Sequence, residues 1–121
     1  MSESSVTRVR WDDMPRERLG ERLERRYIMG QHLTLAQFFL AKGCIVPPHS
    51  HDSEQMSYVV QGCLRFRVEP GAPIDVRAGE VLVIPADAQH EAEALEDSIV
   101  VDSFSPIRRD WAERRDDYLR R

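Results

Sequence analysis

Long apolar runs are missing from this sequence of 121 residues. None reaches the roughly 18 residues that a membrane-crossing helix needs, and no charged-then-apolar leader opens the chain. These two absences predict a chain that is neither membrane-inserted nor exported, and its expected place is the cytoplasm. Cysteine is scarce. Cys44 and Cys63 cannot make a disulfide framework, and without export they are expected to be reduced thiols packed as small apolar groups. An excess of positive charge is also missing: 17 Lys and Arg stand against 21 Asp and Glu, a net charge of −4, which argues against a nucleic-acid partner. The arginines of residues 16–26 alternate with acids and read as a solvated face. No internal repeat, low-complexity tract or second domain is visible. Hydrophobic residues at 41% and charged residues at 31% are ordinary for a single globular domain.

What is present reads as strands. From about residue 32 to 104, short runs of strand formers are cut by turn signals every eight to twelve residues or so, the pattern of a sandwich or barrel. Leu64, Phe66 and Val68 alternate with Arg65, Arg67 and Glu69, which predicts a strand with one wet face. Residues 33–40, 57–60, 74–77 and 98–104 read as further strands, and the continuous apolar run 81–84 as one buried on both faces. The ends differ. Ser105 as N-cap and Pro106 at the first helical position, with Ile107, Trp111 and Tyr118 at helical spacing, predict a short C-terminal helix packed on the strands. In residues 16–28, Leu19, Leu23 and Tyr27 recur every four residues and would suit a helix, which Gly20 weakens. The expected organisation is therefore disorder over residues 1–5, a β-barrel over 6–104 and a packed tail over 105–121.

Chemistry concentrates in two places. His49 and His51 stand two apart, so in an extended segment both rings point to one face and converge as metal ligands do. Pro47 and Pro48 fix the backbone just before them. Glu54 or Gln55 would add an oxygen ligand from the next strand. His90 follows the apolar run 81–84 and its proline turn, far down the chain. His32, the fourth histidine, reads as structural or exposed, and Met29 and Met56 as core fillers.

Gly43, His49, His51, Gln55 and Gly62 resemble, in their spacing, the first cupin motif; Gly79, Pro85, Asp87 and His90 resemble the second. The two cover residues 43–94. The resemblance implies an all-β fold, a cupin (RmlC-like) double-stranded β-helix or jelly-roll barrel, here with a short C-terminal helix. Three departures stand out: Gln55 at the usual glutamate position, Asp87 at a usual glycine, and Ala94 at a usual asparagine. Gln55 rather than Glu54 keeps the motif's register to Gly62. Three neutral imidazoles and an amide would leave the charge of a divalent metal uncompensated, which favours an anionic substrate oxygen. One divalent transition metal per chain is expected. Nickel, iron, manganese, zinc and copper all accept imidazole.

The last strand narrows the chemistry. Val100, Asp102 and Phe104 share a face by period two, and an aspartate in an apolar lumen is costly without a role or a partner. If that face is the lumen, Asp102 is a candidate general acid/base; the alternative is an ion pair with one of the many arginines. Arg108 would clamp a substrate carboxylate in a bidentate fork. This tail, with H-S-H-D-S-E-Q and the upstream R-R-Y-I-M-G, is similar to small cupins of the KdgF type in pectin degradation, which linearise 4,5-unsaturated uronates. That similarity implies His49, His51, Gln55 and His90 as metal ligands, and Asp102, Phe104 and Arg108 around the substrate. It also implies strand rather than helix over 16–28. Two other readings are an iron-dependent dioxygenase and a non-enzymatic small-molecule-binding cupin. Exposed barrel edges and an N-terminal strand predict a homodimer through strand pairing.

Overall fold

Alternating sequence folds into two antiparallel sheets that close around one lumen, in a computed structural model that describes residues 6–120. The disorder expected for residues 1–5 lies outside the described residues. The strands are β1 (Glu17–Gly20), β2 (Leu23–Met29), β3 (Thr34–Leu40), β4 (Ile45–His49), β5 (Glu54–Gln61), β6 (Cys63–Val68), β7 (Ile74–Arg77), β8 (Val81–Ile84), β9 (His90–Ala94) and β10 (Ser98–Ser105). Six form one sheet in the order β1-β2-β3-β10-β5-β8, and four form the other in the order β4-β9-β6-β7. A short helix α1 (Arg109–Ala112) and a 3-10 turn (Asp117–Leu119) complete the tail.

Period two decides what each strand buries. Leu64 and Phe66 of β6 enter the core while Arg65 and Arg67 stay outside. In β10 the buried set is Ser98, Val100, Asp102 and Phe104. Residues 16–28 form the β1–β2 hairpin, with Leu19 and Leu23 in the core. Leu19 and Leu23 flank the hairpin turn on opposite strands, so their spacing of four comes from the turn; within β2 the spacing from Leu23 to Tyr27 is a multiple of two and suits a strand as well as a helix.

Two strands escaped the sequence reading. β4 carries Pro47 and Pro48, which propensity disfavours; it lies at a sheet edge, where missing N–H groups break few ladder bonds. β9, H-E-A-E-A, is poor in strand formers but turns His90, Ala92 and Ala94 inward. Other expectations are corrected. The run 81–84 is not buried on both faces: β8 is an edge strand, Val81 and Val83 are 56% and 50% exposed, and only Ile84 is fully buried. Met56 points outward from β5 and fills no core. Ser105 does not cap a helix, because it continues the β10–β5 ladder opposite Glu54; the helix starts at Arg109 and has four residues. The tail still packs, through buried Trp111 and Leu119. Cys44 and Cys63 are buried and form no disulfide.

Two turn positions show how tightly the chain is specified. Gly62 has φ +88°, and a Cβ there would lie 2.3 Å from Ser98 Oγ and 2.4 Å from the Asp97 carbonyl, so no side chain fits. Asp87, at the motif's usual glycine, has φ +66°, a conformation that aspartate tolerates better than most residues.

Candidate metal centre

Strand pairing makes the centre. β4 and β9 are neighbours, and their register sets His49 directly opposite His90. His51 lies in the loop that carries the chain from β4 across to β5 in the other sheet. The three rings meet, with centroids 4.3 Å apart for His49 and His90, 5.0 Å for His51 and His90, and 5.6 Å for His49 and His51. One ligand atom from each lies within 4.8 Å of the others.

The same local device fixes every ring. Nδ1 of His49 lies 2.8 Å from the Pro47 carbonyl, Nδ1 of His51 2.9 Å from that of Ser53, and Nδ1 of His90 2.9 Å from that of Ala88. A carbonyl only accepts, so each Nδ1 carries the hydrogen and donates it. Each Nε2 is left with a bare lone pair. His90 Nε2 is buried without a hydrogen-bond partner among the described residues. Gln55 completes the set: its Nε2 donates to Ser57 Oγ at 2.9 Å, which turns Oε1 toward His51 Nε2, 3.0 Å away. Two acceptors face each other there with no proton between them. Four lone pairs converging without a donor suit a cation, and three imidazole nitrogens with one amide oxygen form a borderline donor set for a divalent transition metal. Glu54 is exposed on the outer face of β5, so of the two acid or amide candidates only Gln55 reaches the lumen.

Electrostatics agree. Burial, reinforced by its neighbour His90, pushes the His49 imidazole down to about 3. Burial and the Arg108 cation push His51 down to about 4, and burial lowers His90 as well. All three are neutral near pH 7 and free to bind a cation. Asp102 moves the other way: burial raises its carboxyl to about 7, against the opposing pull of a Ser57 hydrogen bond and of Arg108. Its Oδ1 is buried with no hydrogen-bond partner among the described residues.

A cavity of about 50 Å³ joins these groups, with His49, Gln55, His90, Asp102, Phe104 and Arg108 on its wall. His51 meets the same group edge-on through the Phe104 ring, at 5.5 Å between centroids. All seven residues singled out from the sequence therefore come together. One expected role changes. Arg108 is buried, but its fork is already closed on Asp110, through Nε at 3.0 Å and Nη2 at 2.8 Å, so a bidentate clamp on a substrate is not available in this geometry. Its guanidinium lies over Phe104 and Trp111, 4.7 and 4.6 Å from the ring centroids. His32 is exposed.

Two residues were missed. Tyr118 accepts a hydrogen bond from Arg108 and stacks on His49 at 4.6 Å, between the cavity and a surface cleft of about 520 Å³ that includes Arg109 and Arg115. No sequence signal links position 118 to position 49; the tail's path alone does. Ser57 is fully buried beside Gln55, and period two from Gln55 would have found it.

Comparison with known proteins follows the same lines. The family model described as "Cupin domain" matches residues 37–102. KdgF from Halomonas sp. is 31% identical, with 83% of this chain and 94% of that chain covered and a TM-score of 0.77. An RmlC-like cupin from Shewanella frigidimarina NCIMB 400 is 27% identical over 91% of this chain and 99% of that one, with a TM-score of 0.81. DMSP lyase DddQ from Ruegeria pomeroyi DSS-3, at 16% identity, 70% and 47% coverage and a TM-score of 0.65, shares the fold alone. No curated protein matches the chain.

Proposed function

This chain belongs to the cupin family, and from that premise we propose that it is a metal-dependent, non-redox cytoplasmic enzyme that opens and tautomerises a small carboxylated sugar, an unsaturated uronate. The observation that carries the proposal is a buried Asp102 on the same small cavity as His49 and His90, two of the three converging neutral imidazoles. Held by His49, His51, Gln55 and His90, a divalent metal would supply Lewis-acid polarisation of a substrate oxygen.

The protein's own groups do the rest. Asp102 takes the proton of the ring's hemiacetal hydroxyl; a C=O bond forms there as the bond to the ring oxygen breaks, leaving an enolate. Asp102 then returns the proton to the enolate carbon and the oxygen becomes a ketone, so no oxidant or water is consumed. A carboxyl at about 7 suits both halves, since near neutrality it accepts and releases a proton with similar ease. Phe104 offers a flat apolar face to the sugar ring. Arg108 supplies positive charge for the uronate carboxylate, through Nη1, which is not engaged by Asp110 or Tyr118. A cavity of about 50 Å³ holds a few waters rather than a sugar acid, so Tyr118 has to swing off His49 and join the cavity to the outer cleft.

A second copy of the chain belongs to the same proposal. The outer face of the six-stranded sheet exposes Leu35, Met56, Tyr58, Val60, Val81 and Val83, and the register sets Met56 beside Val83 and Tyr58 beside Val81. So many neighbouring apolar side chains suit a homodimer, formed through this face rather than by edge pairing.

Elemental analysis of the purified protein, followed by a screen against unsaturated uronates, tests the reading. Asp102→Asn is expected to retain about one metal per chain and to lose at least about a hundredfold in turnover. Unchanged turnover would end the acid/base assignment, and oxygen uptake during turnover would replace it with a dioxygenase.

A further inference from the structure

A glutamine ligand has a failure mode that a glutamate lacks. Its amide ends are nearly equal in size, and turned by 180° it would aim two N–H donors, instead of an oxygen, at a cation. The histidine side does not prevent this. His51 Nε2 is a bare acceptor 3.0 Å from the Gln55 amide, and by itself it would draw the NH2 end toward it. The orientation has to be held from the other side.

Ser57 is on that side. It follows Gln55 by two residues on β5, so both side chains point inward; its exposure is 0% and that of Gln55 5%. The β10–β5 register sets Asp102 directly across from Ser57, with both side chains turned inward and buried, and the serine hydroxyl lowers the Asp102 carboxyl against the effect of burial, as a donor facing a carboxylate does. A hydroxyl can donate or accept, so a serine facing only a glutamine would serve either amide end. Asp102 breaks that symmetry. A carboxylate across from the serine draws its proton and leaves the Oγ lone pairs for the Gln55 NH2, which is observed to donate to Oγ at 2.9 Å.

We infer that Ser57 is the positioning residue of the metal centre: by donating to Asp102 and accepting from Gln55, it keeps the Gln55 carbonyl oxygen turned toward the histidines. The chain Asp102–Ser57–Gln55–His51 thus joins the acid/base group to the metal ligands through one buried hydroxyl. The inference rests on the four-ligand centre proposed above but not on the identity of the substrate.

The experiment is a competition titration of zinc and nickel ions against a chromophoric chelator, on wild type, S57A, Q55E and the S57A/Q55E double variant, each first checked for a cooperative thermal melt. S57A is expected to weaken metal binding at least tenfold in the wild-type background. In the Q55E background it is expected to weaken binding less than threefold, because both ends of a carboxylate are oxygen and there is no orientation to lose. Ser57→Cys, similar in shape but a poor hydrogen-bond partner, serves the same comparison if S57A does not fold. Equal losses in both backgrounds, or an S57A chain that binds as tightly as wild type, overturn the inference. A wild-type chain that binds neither ion overturns the four-ligand centre with it, whereas tight wild-type binding with equal losses overturns the inference alone.

Discussion

At the scale of single residues, the site stores two opposite proton preferences. His49 and His51 have an ordinary value of 6.5 and fall to about 3 and about 4 in the folded chain. Between those values the unfolded chain binds more protons, so the metal-free protein loses stability as pH falls from about 6.5 toward about 3. Asp102 has an ordinary value of 3.8 and rises to about 7, so between those values the folded chain binds the extra proton. Its contribution is complete below about 3.8 and disappears as pH rises through about 7. The windows overlap, and D102N separates them. In metal-free protein, the melting temperature of D102N minus that of wild type is expected to grow from pH 4 to pH 7 and to level off above. A difference independent of pH would mean that Asp102 titrates as an exposed carboxylate does. Much of this was legible: the histidine spacing and the inward phase of Asp102 are both readable by period two. The direction of the Arg108 fork was not, since it depends on Asp110 folding back onto it.

At the scale of elements, the tail is held by charge as much as by packing. Asp116, fully buried, pairs with Arg25 at 2.9 Å and with Arg120 at 3.3 Å, and Glu17 of β1 pairs with Arg25 at 2.6 Å and Arg120 at 2.8 Å. Arg25 is itself 1% exposed and lies 4.5 Å from the Trp111 ring centroid. Removing one partner of a buried pair strands the other charge, a loss of about 3 kcal/mol or more. Asp116→Ala is expected to lower stability by about that amount in urea unfolding and to speed tryptic cleavage at Arg114 and Arg115, because Tyr118 and Leu119 lose their anchor. A loss below about 1 kcal/mol with unchanged cleavage would show that Leu119 and Trp111 hold the tail without the ions. None of this was visible in the sequence, where the arginines of 16–26 read as solvated. Arg25 lies in β2 with its side chain turned inward, onto a segment some ninety residues later, and Arg26 beside it is buried too, donating to Gln37 Oε1 at 2.7 Å.

At the scale of the whole molecule, the apolar outer face of the six-stranded sheet is the least monomer-like feature. Val83→Glu sets a charge on the edge strand of that face, beside Met56, half exposed and turned away from the lumen. Light scattering is expected to give twice the chain mass for wild type and one chain mass for V83E, with metal content unchanged. A wild-type chain that runs as a monomer at all concentrations would remove the dimer and leave the metal centre intact.

The sequence by itself determined the all-β fold class and the inward phase of Asp102 and Phe104, because both follow from local rules: alternation along strands, turn residues at fixed positions, and two histidine motifs at two spacings. It could not decide what lies opposite what. The pairing of β4 with β9 that sets His49 against His90, the Ser57–Asp102 register, the closure of Asp110 on Arg108 and the stacking of Tyr118 on His49 join segments far apart in the chain. Contacts of that kind depend on how the sheets and tail dock, which no local pattern of residues encodes.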